Sequence, residues 1–186
     1  QQGAKIAVIG AMAKKIRYQG AGSSHINPTG LSQPLDFLPD AIYAPGCDDR
    51  GDTTDALLEE ARAAAEQAEI AVVFAGLPDH YESEGFDRDN MKMPEGHLRM
   101  IEAVTGANPN TVVILLCGSA VECPWADRVK AVLYMGLPGQ AGGEAIAELL
   151  YGRVNPSGKL AESWPFAYGD VPSSEVYSKT ADALYQ

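Results

Sequence analysis

Apolar runs that recur along the chain, with helix-forming stretches between them, restrict it to a sheet layered with helices. Thr111-Val112-Val113-Ile114-Leu115-Leu116 is the strongest of these runs, carries no charge and is dominated by β-branched and other aliphatic residues. Its length and composition fit a strand covered on both faces better than a segment of amphipathic helix. Ile70 to Gly76 reads the same way, as do Lys5-Ile6-Ala7-Val8-Ile9-Gly10 and Lys130 to Tyr134. Ala41 to Ala44, closed by Pro45-Gly46, is a weaker strand candidate, and Leu160 to Trp164 is a candidate last strand.

Helices fill the gaps. Asp52-Thr53-Thr54-Asp55 offers N-cap side chains ahead of Ala56 to Ala68, which is rich in Ala and Glu with apolar residues at helical spacing. Pro94-Glu95-Gly96 opens a helix to about Ala107 with Leu98, Ile101 and Val104 on one face, and Glu144 to Tyr151 is a helix stopped by Gly152. Tyr18 to Pro39 is a long loop rich in Gly, Ser, Pro and Asn, with a short helix near Leu35 to Leu38, and Pro124-Trp125 starts a short helical piece. The expected fold class is α/β: a doubly wound, mostly parallel sheet of five or six strands with helices on both faces. A chain of 186 residues is long enough for one such core and short for two, so residues 1–186 are expected to form a single α/β sandwich domain.

Charge narrows the partners. Lys and Arg number 14 and Asp and Glu 25, a formal net charge of −11, which argues against nucleic acid and against an anionic membrane surface. No apolar stretch reaches the roughly 18 residues needed to cross a bilayer. Cys47, Cys117 and Cys123 are odd in number and lie in apolar or loop contexts, which fits a reducing compartment such as the cytoplasm better than a disulfide framework. The start, Gln1-Gln2-Gly3, and the end, Asp182-Ala183-Leu184-Tyr185-Gln186, read as cuts from something longer.

Chemistry concentrates in Tyr81-Glu82-Ser83-Glu84-Gly85-Phe86-Asp87-Arg88, immediately after the Ile70 run. In open α/β sheets ligands bind outside the carboxyl ends of the strands. A glutamate crowded by other carboxylates in a partly enclosed loop has its charged form disfavoured, and a raised pKa suits a general acid at neutral pH. The plain alternative is an acidic turn in solvent, with Asp87 and Arg88 forming a local ion pair that fixes the loop. For Glu82 and Glu84 the residues alone leave both readings open.

Other chemistries fare worse. Gly20-Ala21-Gly22-Ser23-Ser24-His25 resembles a dinucleotide fingerprint, but His25 occupies the third glycine position and the loop begins well after Gly10. The glycines are expected to fold a long loop tightly, leaving Ser23 and Ser24 as donors. His25, His80 and His97 do not fall at metal-ligand spacing, and no Gly-x-Ser-x-Gly elbow occurs. No cofactor and no metal are expected.

Several segments, taken in order, resemble the carboxyl-side α/β sandwich domain of glycoside hydrolase family 3, the β-glucosidase family. They are Lys5 to Gly10; Tyr18-Gln19-Gly20-Ala21-Gly22-Ser23-Ser24; Glu82-Ser83-Glu84-Gly85-Phe86-Asp87-Arg88 with Met93-Pro94; and Asn108-Pro109-Asn110-Thr111-Val112-Val113. Pro124-Trp125, Gly136 to Gly143, Leu150 to Leu160 and Ser163-Trp164-Pro165 follow, so the match spans nearly the whole chain. The resemblance implies a retaining hydrolase of β-linked glycosides, whose Asp nucleophile belongs to a separate (β/α)-barrel domain. It implies that the general acid/base lies in the acidic loop, at Glu82 first and at Glu84 by an alternative register. His97 stands where the family more often has Gln, and Met91 and Met93 where it has Leu, which read as packing variants. Between Ala44 and Thr53 there is no room for the extra β-domain that some members insert. Such a half-site is expected to expose apolar residues near Phe86 and Tyr81 and to be inactive alone. The alternatives are a non-catalytic carbohydrate-binding module, reading hydroxyls through Asp87 and Arg88, and a flavodoxin-like binding domain that shares only the fold class.

Overall fold

The computed structural model describes residues 3–175; Gln1, Gln2 and residues 176–186, including the Asp182–Gln186 end, lie outside the described residues. Five strands form one sheet: β1 (Ile6–Ile9), β2 (Ile42–Ala44), β3 (Ile70–Gly76), β4 (Thr111–Leu116) and β5 (Ala131–Tyr134). Their order is β2-β1-β3-β4-β5 and every pairing is parallel. Register is set in the middle of the sheet, where Val72 lies opposite Val8 on one side and Val112 on the other. β3 and β4 are almost wholly buried, as their unbroken apolar runs require.

Helices α1 (Asp55–Glu66) and α2 (Glu95–Ala107) cover one face, and α3 (Gly142–Leu150) covers the other. On the first face Ala61, Ala65, Ile101 and Val104 pack against Val73, Val113 and Leu115; on the second Ile146 and Ala147 meet Val8, Phe74 and Ile114. The two sets alternate along each strand, so one helix pair and one single helix bury opposite sides of the same residue runs. Thr54 caps α1 by accepting a hydrogen bond from the Leu57 N–H at 3.3 Å. Met91, Met93 and His97 are buried, in keeping with packing roles.

Two details differ from expectation. Leu160 to Trp164 is not a strand, and the sheet has five members. Glu162 and Ser163 interrupt the apolar run, Leu160 is exposed, and Trp164 packs edge-on against Tyr134 of β5 with ring centroids 5.1 Å apart. The short helices near Leu35 and after Trp125 are 3-10 turns, Pro34–Phe37 and Ala126–Arg128.

Between β1 and β2 the chain runs through residues 10–41 without an α-helix, in three short 3-10 turns, Ala11–Ala13, Gly22–Ser24 and Pro34–Phe37. From β2 it returns through α1 to β3, on the far side of β1. The carboxyl ends of β1 and β3 therefore flank the point where the winding reverses, the crevice in which doubly wound sheets place their ligands. Gly10 ends β1 with φ +121°, and a Cβ there would overlap the Phe74 carbonyl of β3. Only a glycine lets the chain leave β1 this close to its neighbour.

Candidate active site

Two loops converge at this reversal point. The acidic loop leaves β3 through Leu77, a 3-10 turn at Asp79–Tyr81, and then Glu82 to Arg88. The β1–β2 connection brings Arg17 and the Gly20–Ser24 stretch beside it. The chain after β4, Gly118 to Ala120, closes the third side.

Arg17 and Glu82 fill the crevice itself. The Arg17 Nη1 donates to Glu82 Oε2 and to the Leu77 carbonyl (2.6 Å), while Nη2 reaches the Glu82 carbonyl at 3.3 Å. Asp79 lies 3.2 Å from Arg17 Nε as a further, exposed counter-charge. Glu82 also accepts from the Gly118 N–H at 2.9 Å and from the Ser119 hydroxyl. Its side chain is 12 % exposed and that of Arg17 only 5 %. Burial works against the Glu82 charge, but the hydrogen bonds from Ser119 and Gly118, together with Arg17, outweigh it and hold the carboxyl below the ordinary carboxylate range.

The expectation of a raised pKa in this loop is therefore corrected for both glutamates. They are not crowded against each other: each turns to donors of its own. Glu84 lies in solvent and accepts from the Ser23 N–H (2.7 Å) and the Ser23 hydroxyl, both at Oε2, and these bonds lower its pKa. Glu82 is a fixed, saturated anion within the protein, whereas Glu84 presents an exposed carboxylate on the loop beyond the carboxyl end of β3.

Asp87 and Arg88 do not form the expected ion pair. Arg88 turns back to the Ser119 hydroxyl (2.7 Å) and the Ala120 carbonyl (3.3 Å), because β4's following residues offer acceptors that an exposed Asp87 does not match. The Ser119 hydroxyl thus joins Glu82 to Arg88. Phe86 is 74 % exposed, as expected, but Tyr81 is half-buried against the core with its ring 4.7 Å from that of His80.

His97 is buried and the three cysteines pack into or against the core. His97 of α2 is buried with Nδ1 at 2.9 Å from the Gly76 carbonyl and 3.2 Å from its N–H, and burial pushes it down to about 4. Cys47, Cys117 and Cys123 are free thiols pushed up by burial to about 11, 12 and 11, so none is a thiolate near neutral pH. No group of His, Cys, Asp and Glu suited to a metal ion occurs among the described residues. Sequence reasoning found the acidic loop and Ser23 but missed Arg17, Gly118 and Ser119. Nothing local separates Arg17 from Lys14 and Lys15 nearby; its role depends on a contact 65 residues away.

A family model described as the glycosyl hydrolase family 3 C-terminal domain matches residues 1–186. The chain is 52 % identical over 176 residues to a thermostable β-glucosidase B of Acetivibrio thermocellus, covering 90 % of this chain and 23 % of that protein. It is 46 % identical over 175 residues to an exo-α-(1→6)-L-arabinopyranosidase of Bifidobacterium longum, covering 91 % and 23 %. Among solved structures it superposes on a β-glucosidase of Bifidobacterium adolescentis with a TM-score of 0.89 at 43 % identity, over 94 % of this chain and 27 % of that one. A β-glucosidase of Streptomyces venezuelae in complex with D-glucose gives 0.80 at 28 % identity, over 88 % and 35 %. The chain spans about a quarter of the length of these two curated relatives.

Proposed function

The chain belongs to the family of glycosyl hydrolase family 3 C-terminal domains, and on that premise we propose that it is the acid/base-bearing half of an exo-acting, retaining glycosidase site. Glu84 is the proton-transfer group in this reading, and Glu82 is the anion that holds the loop. A single observation carries the assignment: of the two glutamates, one has its oxygens taken up by Arg17, Gly118 and Ser119 in the reversal-point crevice, and the other stands open to solvent on the same loop. A buried carboxylate held by several donors to its charged form has no proton to give near neutral pH.

The nucleophile comes from a (β/α)-barrel domain of the same protein. In a retaining site the two carboxyl groups stand about 5–5.5 Å apart across the scissile bond. Glu84, protonated, gives its proton to the glycosidic oxygen as the C–O bond breaks and the barrel's Asp bonds to the anomeric carbon. Glu84, now ionised, takes a proton from water as that water attacks the anomeric carbon and releases the Asp. In the open domain solvent and Ser23 favour the charged form of Glu84. Docking of the barrel removes that solvent and brings a second carboxylate near, and both effects raise the pKa toward what the first step needs. Phe86, exposed beside Glu84, supplies apolar surface for that contact.

The substrate class is glycosides cleaved from one end, β-linked ones first. The names of the relatives span glucosides and arabinopyranosides, so the sugar is left to the barrel. A flavodoxin-like ligand site is disfavoured because the crevice is filled by Arg17 and Glu82. A sugar-binding module that reads hydroxyls through Arg88 is disfavoured because that guanidinium faces Ser119.

The test is Glu84→Gln in the full-length enzyme. Hydrolysis of alkyl glycosides should fall by about 10²–10⁴, while dinitrophenyl glycosides, which leave without protonation, keep rapid formation of the glycosyl-enzyme. An equal loss on both substrates, or this signature in Glu82→Gln instead, would overturn the assignment.

A further inference from the structure

The Gly20–Ser24 stretch fits no phosphate-binding pattern, yet it is built against the acidic loop residue by residue. Ala21 makes a parallel bridge with Ser83. Gly22 has φ +83°, and a Cβ placed there would lie 2.6 Å from Glu84 Cβ. Ser23 then gives both of its donors, the backbone N–H at 2.7 Å and the hydroxyl, to one oxygen of Glu84, Oε2. Among the described residues no hydrogen bond reaches Glu84 Oε1. The exposed carboxylate thus has one oxygen tied down and one free.

We propose that Ser23 is a positioning residue for proton transfer: it fixes Glu84 by Oε2, so that Oε1 is the oxygen that carries the proton to the glycosidic bond and takes it back from water. This rests on the reading of Glu84 as the acid/base. The glycines serve the same end. Gly22 lets the β1–β2 connection pass close enough for a backbone donor to reach, and a side chain there would push the two loops apart. Holding one oxygen with two donors leaves a carboxyl group little freedom to rotate, and restricting a reacting group in this way lowers the barrier of a proton transfer.

Besides Glu84, the acidic loop carries Asp79, His80, Tyr81, Glu82, Asp87, Arg88 and Asp89, and the β1–β2 connection carries Lys14, Lys15, Arg17, Tyr18, His25, Asp36 and Asp40. Glu82 and Arg17 neutralise each other, and none of these groups makes an ion pair with Glu84 among the described residues. Ser23 is therefore the dominant local influence on its proton affinity. Its donors favour the ionised form, so removing one raises the pKa of Glu84.

The experiment compares Ser23→Ala, Ser23→Thr and Glu84→Gln with the parent full-length enzyme, using alkyl and dinitrophenyl glycosides of the sugar it accepts. In Ser23→Ala, kcat/KM for the alkyl glycoside should fall roughly tenfold or more, with a much smaller loss for the dinitrophenyl glycoside. The basic limb of its pH profile, which reports the acid, should move to higher pH. Ser23→Thr, which keeps a hydroxyl, should restore both. An unmoved basic limb, or equal losses on both substrates, overturns the role of Ser23. If Glu84→Gln behaves as an acid/base variant while Ser23→Ala leaves the profile unchanged, only this inference fails. If Glu84→Gln shows no dependence on leaving group, the assignment of Glu84 and this inference fail together. Ser23 is exposed and outside both core clusters, so the variants are expected to fold, with unchanged thermal unfolding as the check.

Discussion

Arg17 and Glu82 meet across 65 residues of sequence, in the crevice where a doubly wound sheet ordinarily admits its ligand. A charge pair of the protein's own occupies that place. The acidic loop is thereby tied at once to the β1–β2 connection, through Arg17, and to the chain after β4, through Gly118 and Ser119.

Removing one partner of this pair should cost more than an ordinary surface substitution. Glu82→Gln leaves the Arg17 guanidinium buried without its carboxylate, facing the Leu77 carbonyl, the main-chain carbonyl of position 82 and the exposed Asp79. A loss of up to about 3–5 kcal/mol is expected, reduced by Asp79, and read as a lower urea midpoint. A double variant, Arg17→Met with Glu82→Gln, should recover part of the loss, because the unpaired charge is then gone. Equal stability of Glu82→Gln and the parent would remove the structural role given to the pair.

Acid should unfold the domain in two separable stages. His97 is neutral in the fold, with a pKa of about 4 against 6.5 when unfolded. Between these values the unfolded chain binds the extra proton, so the stability from His97 is complete above about 6.5 and is lost as pH falls toward 4. Glu82 has a lowered pKa, so its contribution is present above the ordinary carboxylate range and is lost as pH falls below it, through the folded value. His97→Gln should flatten the upper window and leave the lower one, and Glu82→Gln the reverse. Denaturant titrations at stepped pH separate them; an upper window unchanged in His97→Gln would refute the assignment.

Gly10→Ala should destabilise by at least about 2 kcal/mol. The methyl group would need a strained backbone and would overlap the Phe74 carbonyl of β3. Gly85→Ala, also at positive φ but with nothing around the added atom, should cost less. Thermal unfolding of the two variants orders them, and equal costs would contradict the close β1–β3 approach.

The domain of residues 1–186 on its own should not hydrolyse aryl glycosides. Its proton-transfer group and the nucleophile are proposed to lie on different domains. Substituting Phe86 by Ser should leave the isolated domain's stability within about 0.5 kcal/mol while lowering activity in the full-length enzyme. Turnover by the isolated domain, measured by release of the aryl alcohol, would contradict the half-site.

Much of the layering was legible from residue order. Runs such as Ile70 to Gly76 and Thr111 to Leu116 are too apolar for anything but a strand covered on both sides, and the Ala-rich and Leu-rich stretches between them supply the covers. Leu160 to Trp164 misled because a short apolar run looks like a strand without regard to whether an edge is open to receive it. Trp164 found a ring to pack on instead. The acidic loop was equally legible as a place, being a cluster of carboxylates directly after a buried strand.

The chain's own order of residues thus determined the strands, their helical cover and the loop in which proton chemistry is proposed, because periodicity and local composition are properties of neighbours. Which glutamate is locked and which is open was decided only by the tertiary structure. A carboxylate's charge state and freedom depend on donors within a few ångströms, and those donors, Arg17, Ser23, Gly118 and Ser119, arrive from segments far away along the chain.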